Sequence, residues 1–68
     1  MSTYKIIHVV GTSSKSWEDA TQSAVSGAAK SLRDLRVAKV IEMDATVDKK
    51  GKINAYRCKV ELSFKYEM

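Results

Sequence analysis

The strongest constraint in the sequence is a long alternation of apolar and polar residues near its end. From Tyr56 to Tyr66 every second residue is apolar, and every residue between them is polar or charged. A period of two places the two kinds of side chain on opposite faces of a β-strand. When the residues back to Ile53 are included, the strand is more than twice as long as the usual ~5–6 residues. The chain must therefore fold around one long strand with one buried face and one wetted face.

Two further elements precede this strand at the start of the chain. Tyr4–Val10 is a short run rich in β-branched residues that ends at Gly11, which is typical of a strand. Ser16 to about Leu35 has apolar or small residues at helical spacing, and Ser16 with Asp19 three positions later resembles a helix-capping pattern. The predicted helix is rich in Ala, Ser and Gly, so we expect a curved sheet to approach it closely.

The remaining segments define the topology. Val37–Val47 is a second β-rich run, and residues 48–52 supply a turn in which Gly51 is available for positive φ. The order is β-α-β-β, with the last two strands in a hairpin. An all-antiparallel sheet then requires the spatial order 1-3-2, with the long strand in the middle and the helix on its apolar face. We therefore predict a single α+β domain over residues 1–68, with a three-stranded antiparallel sheet wrapped around one helix.

The length of the chain makes self-association the expected source of stability. A domain of 68 residues buries only about 60% of its unfolded surface, and its core seldom contributes more than ~3–5 kcal/mol. Cys58 is the only cysteine and His8 the only histidine, which excludes an internal disulfide and a Cys/His zinc cluster. The first strand also looks too short to cover the long one, whose ends would need another subunit. We expect a homo-oligomer.

Charge and composition narrow the possible partners. The net charge of +4 permits an anionic partner. The aromatic residues of the long strand lie on the face opposite its basic residues, however, which argues against a nucleic-acid platform.

No apolar run approaches the ~20 residues of a membrane span, and no signal-peptide pattern is visible. We expect a soluble cytoplasmic protein, as a single unpaired cysteine also suggests. No nucleophile–base pair, metal cluster or phosphate loop is visible, so we expect binding rather than catalysis.

Several stretches of the sequence together resemble the dodecin family, and they span essentially the whole chain. They are Tyr4–Ser13 with its Gly11-Thr-Ser, Ser16–Ala20, Val37–Glu42 and Tyr56–Lys65. The resemblance implies a hollow, roughly spherical dodecamer in which each sheet partly wraps its helix. It also implies a storage or buffering role, because family members typically bind flavins such as FMN or riboflavin in stacked pairs between subunits. Bacterial members can also hold coenzyme A.

The resemblance assigns three positions to a flavin site, and two of them depart from the family pattern. Flavin-binding dodecins place a tryptophan where Val37 stands and a glutamine where Arg57 stands. Valine offers no aromatic platform, and arginine has donors but no acceptor. Glu42 retains the acidic residue that often contacts the flavin side chain. We therefore expect an altered flavin site, and the identity of the ligand stays open.

Acidic residues on the second strand supply an alternative ligand. Glu42 and Asp44 lie two positions apart and so point the same way, and within one subunit we expect them to be solvated or paired with Lys59 or Arg57. If symmetry gathers copies at an axis, such carboxylates favour a hard cation such as calcium or magnesium. The alternatives to a flavin store are thus a cation-binding assembly, a scaffold without an organic ligand and, less favoured, a basic nucleic-acid-binding module.

Three further side chains receive structural interpretations. Trp17 lies on the apolar stripe of the helix and is expected to anchor the core or an interface. His8 is expected to be packed and hydrogen-bonded, because no second histidine or cysteine accompanies it. Cys58 lies on the apolar face of the long strand, where we expect it to behave as a small hydrophobic residue.

Overall fold

The computed structural model describes residues 2–66 and contains four elements in the predicted order. They are β1 (Thr3–Ser13), α1 (Trp17–Ala29), β2 (Leu35–Val47) and β3 (Ile53–Tyr66). β3 lies between β1 and β2 and pairs antiparallel with both. The predicted β-α-β-β fold with strand order 1-3-2 is confirmed.

The core lies between α1 and one face of β3. Cys58, Val60 and Leu62 of β3 are fully buried, and Ala20 and Ala24 of α1 pack against them. The residues between these on β3 point to the other side of the sheet, because side chains alternate along a strand. α1 packs over β1 and β3 and barely contacts β2. The residues of β3 that alternate in polarity therefore also alternate in burial, as the sequence pattern predicted.

Small residues let α1 approach β1 closely. Gly11 is buried, and a Cβ atom at this position would lie 2.0 Å from the main-chain oxygen of Ala20 and 2.8 Å from the Cβ of Ala24. Any side chain larger than hydrogen would push the helix off the sheet. This seam explains why the helix carries the small residues Ala20 and Ala24 where it meets Gly11.

The first strand is longer than predicted, and the argument from its shortness is wrong. β1 pairs with β3 along its whole length, from Thr3 opposite Tyr66 to Ser13 opposite Tyr56. β2 occupies the other side of β3, so the backbone of β3 has a neighbouring strand on both sides. The expectation of self-association therefore rests on the size of the core. In the described part of the chain, that core holds only the five buried apolar residues of β3 and α1.

The helix begins as predicted and ends earlier. The Ser16 side chain caps α1 by accepting a hydrogen bond of 3.0 Å from the Asp19 amide. The predicted end near Leu35 is wrong, because α1 stops at Ala29 and Leu35 already belongs to β2. Asp34 precedes β2 with a φ of 56°, a left-handed conformation that aspartate tolerates better than most residues. Within residues 2–66, no helix is long and apolar enough to cross a membrane.

The predicted hairpin turn is confirmed. The Asp48 carboxylate accepts hydrogen bonds of 2.8 Å from the Lys50 amide and 3.0 Å from the Lys52 amide. Gly51 adopts a φ of 81°, which glycine reaches without steric cost. The turn fixes the register of β2 against β3, and so decides which side chains meet across the hairpin.

Candidate functional site

The face of the sheet that points away from α1, here termed the open face, carries charged side chains in cross-strand rows. Lys59 of β3 lies between Val10 of β1 and Glu42 of β2, and Arg57 lies opposite Asp44. These five side chains line a depression of about 110 Å³. Residues opposite each other in an antiparallel pair share one face, so the hairpin brings together two carboxylates and two cations that are distant in sequence.

Asp44 and Arg57 form a two-pronged ion pair. The Nε and Nη2 atoms of Arg57 each donate a hydrogen bond of 2.7 Å to a different carboxylate oxygen of Asp44. Bidentate pairs of this kind are among the stronger hydrogen-bonded contacts in proteins. The hydrogen bonds from Arg57 lower the pKa of Asp44, and those same bonds raise the pKa of Arg57. Both oxygens of Asp44 are therefore engaged within the subunit.

Glu42 is much less engaged. Its carboxylate lies 3.9 Å from the Lys59 ammonium, and its side chain is 67% exposed. A β-bulge separates Val40 from Glu42, and bulges re-aim side chains. After the bulge, Glu42 and Asp44 point to the same face, as predicted. The expected pairing of these acids with Lys59 and Arg57 is also confirmed.

Trp17 ties the start of α1 to this part of β2. Its indole Nε1 donates a hydrogen bond of 2.9 Å to the main-chain oxygen of Asp44. Its ring meets Tyr56 edge-on, with the ring centroids 4.8 Å apart. Trp17 thus anchors the helix to the sheet at the rim of the core, where it is 37% exposed. The helical stripe in the sequence indicated an anchoring role, but no local pattern indicated Asp44 as the partner.

The structure does not bring the three flavin-site equivalents together within one chain. Val37 is 53% exposed and lies opposite Ser63, whereas Arg57 lies six positions earlier on β3. At about 3.3 Å per residue, the two are separated by roughly 20 Å along the sheet. A site that used Val37 together with Glu42 and Arg57 would have to draw them from different subunits.

The lone histidine and the lone cysteine have different environments. His8 is hydrogen-bonded as predicted, with its Nε2 3.1 Å from Glu61 Oε1, but it is exposed on the open face rather than packed. Cys58 is fully buried, and its thiol lies 3.3 Å from the main-chain oxygen of Trp17. Cys58 is thus part of the core, as predicted.

A single chain does not supply a complete metal centre in its described part. Among residues 2–66, no three His, Cys, Asp or Glu side chains converge closely enough to hold a metal ion. Glu42 and Asp44 contribute two carboxylates on one face, and carboxylate oxygens are the donors that hard cations prefer. The donor chemistry fits such a cation, but the number of ligands from one chain does not suffice.

Comparison with known proteins places this fold and this face in context. The family model Dodecin matches residues 3–67. Calcium dodecin of Mycobacterium tuberculosis is 55% identical over 65 residues, covering 96% of this chain and 90% of that protein. Dodecin of Thermus thermophilus is 36% identical over 64 residues, covering 94% of this chain and 91% of that protein.

A solved structure extends the likeness to three dimensions. The crystal structure of the mycobacterial calcium dodecin, described as calcium-chelating and as having a novel calcium-binding site, superposes with a TM-score of 0.85 at 53% identity. The match covers 97% of this chain and 93% of that one. Sequence, topology and backbone geometry agree over nearly the whole length, and the chain therefore belongs to the dodecin family.

Proposed function

We propose that the chain assembles into a hollow dodecamer that binds a divalent cation of the calcium type through Glu42 and Asp44 of more than one subunit. The observation that carries this proposal is the pair of carboxylates on the open face, in a chain that is 55% identical to a protein named calcium dodecin. Magnesium is the less suitable cation, because it demands near-ideal octahedral geometry and retains several waters.

The two carboxylates would have different roles in such a site. Glu42 is the primary ligand, because the Lys59 ammonium that pairs with it lies 3.9 Å away and its side chain is 67% exposed. Asp44 is oriented by its two hydrogen bonds from Arg57, and each of its oxygens keeps a further lone pair that is available to the cation. Calcium takes about 6–8 oxygen ligands, so one subunit cannot complete its coordination. Copies of Glu42 from neighbouring subunits and water would supply the remaining oxygens.

Flavin is the competing ligand, and two features weigh against it. Val37 provides no aromatic surface on which an isoalloxazine ring could stack. Arg57 donates two hydrogen bonds to Asp44 and has no acceptor, so it cannot reproduce the donor and acceptor of a glutamine at the ring edge. Within the depression on the open face, Arg57 and Lys59 both face carboxylates, so this site offers little uncompensated positive charge to the phosphates of coenzyme A or of a nucleic acid. We propose binding or storage rather than catalysis, and a cytoplasmic location in keeping with a single, buried, free cysteine.

The test combines the mass of the assembly with its ligand content. Light scattering gives the absolute mass of the purified protein, and the absorption spectrum of the same peak reports bound flavin. Calorimetric titration with calcium then compares the parent with Glu42→Gln, and with Glu18→Gln as a control that removes the same charge from the exposed first turn of α1. We expect a colourless dodecamer whose calcium affinity falls at least about 10-fold in Glu42→Gln, since even outer-shell partners of metals contribute 10–100-fold.

Each result has a defined meaning. Equal calcium affinity in the parent and in Glu42→Gln would remove Glu42 from the site, and the absence of calcium binding would refute the cation proposal. A yellow dodecamer would make flavin the ligand in spite of Val37. A monomeric parent would refute the assembly itself.

A further inference from the structure

The depression on the open face holds equal numbers of positive and negative side chains. Glu42 and Asp44 supply two carboxylates, and Arg57 and Lys59 supply two cations. A divalent cation that enters this space therefore meets two resident positive charges as well as its ligands. Each like charge within a few ångströms opposes binding, because Coulomb energy varies inversely with distance. The affinity of the site then depends on which resident cation can move away.

The two resident cations differ in how firmly they are held. Arg57 donates two hydrogen bonds of 2.7 Å to Asp44, and its planar fork matches the carboxylate. The Lys59 ammonium lies 3.9 Å from Glu42 Oε1, beyond the range of about 2.7–3.2 Å for an N–H···O hydrogen bond. Its side chain is 44% exposed, and lysine carries a compact, strongly hydrated charge on a flexible stem. Lys59 can therefore swing into water, whereas Arg57 is fixed.

The pairing of the strands directs Lys59 toward Glu42. Lys59 lies between Val10 of β1 and Glu42 of β2, and the valine side chain offers it no acceptor. Glu61, the next acid along the same face of β3, lies 3.1 Å from the Nε2 atom of His8 and pairs with that ring. Glu42 is thus the carboxylate that faces Lys59, and it is also the primary ligand of the proposed calcium site.

We propose that Lys59 is a built-in competitor of the cation at Glu42: in the ion-free protein its ammonium balances the charge of the carboxylate, and calcium binds by displacing it. This inference rests on the proposed function and adds the residue that sets the affinity of the site. A protonated lysine has no acceptor lone pair, so Lys59 is not a ligand and acts through its charge. A calcium ion carries twice the charge of the ammonium and is attracted twice as strongly at equal distance, which drives the exchange.

Removal of the lysine charge tests this role. Calorimetric titration with calcium chloride, at about 0.1 M salt where exposed charges interact over ~10 Å, compares the assembled parent with Lys59→Met, which keeps most of the stem and loses the ammonium. Lys39→Met is the matched control, because Lys39 is exposed on the same face in the adjacent cross-strand row, opposite Glu61. We expect calcium to bind Lys59→Met roughly 10-fold more tightly than the parent, since a divalent ion about 4 Å from an ammonium is repelled even in bulk water. Lys39→Met should change the affinity by less than about 2-fold, because that charge is more distant and screened.

Two further measurements separate the charge of the side chain from its packing. Lys59→Arg keeps the positive charge, so its calcium affinity should not exceed that of the parent. The gain in Lys59→Met should shrink toward about 1 M salt, where the Debye length falls to about 3 Å. If Lys59→Met loses the parent mass in light scattering, Lys59→Gln removes the same charge with a polar side chain and takes its place in the titration.

The outcomes distinguish this inference from the proposed function. If calcium binds the parent, and binds Lys59→Met equally or more weakly, the competition is overturned and the calcium site at Glu42 stands. An equal gain in Lys59→Arg or in Lys39→Met would overturn it too, because the effect would then not belong to the charge at position 59. If calcium binds neither the parent nor Lys59→Met, both the proposed site and its competitor are refuted.

Discussion

Replacement of Gly11 by alanine is the sharpest test of how the helix packs on the sheet. The new Cβ would lie 2.0 Å from the main-chain oxygen of Ala20 and 2.8 Å from the Cβ of Ala24. Carbon atoms at optimal contact are about 3.5–4.0 Å apart, so the overlap with the oxygen is far inside contact distance. That oxygen belongs to the helix backbone and cannot rotate away as a side chain would. The helix must therefore shift as a unit.

The size of the effect follows from this geometry. Overpacking a core costs about 1–3 kcal/mol, and occasionally more. We expect the upper end, about 3 kcal/mol, because a shift of α1 also loosens Ala20 and Ala24, which are 0% and 7% exposed. At roughly 4–8 °C per kcal/mol for a domain of this size, the melting temperature should fall by roughly 12–24 °C.

Thermal unfolding followed by far-UV circular dichroism measures this change. Parent and variant must be compared at equal protomer concentration, because the stability of an oligomer depends on concentration. Ser14→Ala is the control: it introduces the same residue at an exposed position three residues later and should change stability by about 0.5 kcal/mol or less. A melting temperature for Gly11→Ala equal to that of Ser14→Ala would refute the close helix–sheet seam.

Three other predictions follow from the core, the helix cap and the ion pair. Leu62→Ala should lower the free energy of unfolding by about 2–5 kcal/mol in chemical denaturation, because Leu62 is fully buried; a loss below that range would contradict its place in the core. Ser16→Ala should cost about 1 kcal/mol in the same assay, because the Asp19 amide loses its acceptor, whereas Ser16→Gly should cost only a few tenths, because glycine is itself tolerated at the N-cap; equal losses would argue against the cap. Arg57 holds the pKa of Asp44 below its ordinary value of 3.8, so the pair stabilises the fold above that value, and this stabilisation is lost as the pH falls through the lowered pKa. The melting temperature of Asp44→Asn should accordingly depend less on pH in this acidic range than that of the parent, and parallel pH profiles would show that the pair does not contribute.

The sequence patterns did not predict the long-range contacts of the site. The same-face placement of Glu42 and Asp44 could be predicted, since it depends only on the two-residue period of a strand. The strength with which each cation pairs with its carboxylate could not be predicted. Arg57 engages Asp44 at 2.7 Å while Lys59 stays 3.9 Å from Glu42, and this difference arises from the hairpin register and the bulge before Glu42. The hydrogen bond from Trp17 to Asp44 spans two elements and has no local signature.

The boundaries of the helix and strands were likewise predictable only in part. The strand from Ile53 to Tyr66 was predictable because its alternation is a local property of the chain. β1 runs past Gly11 because β3 continues to pair with it as far as Ser13, although glycine next to threonine and serine locally favours a turn. The helix stops at Ala29 because Leu35 is needed in β2, opposite Phe64. In both places a tertiary contact outweighed the local preference of the residues.

By itself, the sequence determined the β-α-β-β order, the central position of the long strand, the buried face of that strand and the placement of two acids on one face of the second strand. These features depend on periodicity and on the connection between elements, which are written locally along the chain. The tertiary structure alone decided how far β1 extends, where α1 ends, which cation holds which carboxylate and why Gly11 must be glycine. Those outcomes depend on distances between residues of different elements, such as the 2.0 Å that would separate a Cβ at Gly11 from the main-chain oxygen of Ala20. Such distances exist only once the helix has packed on the sheet.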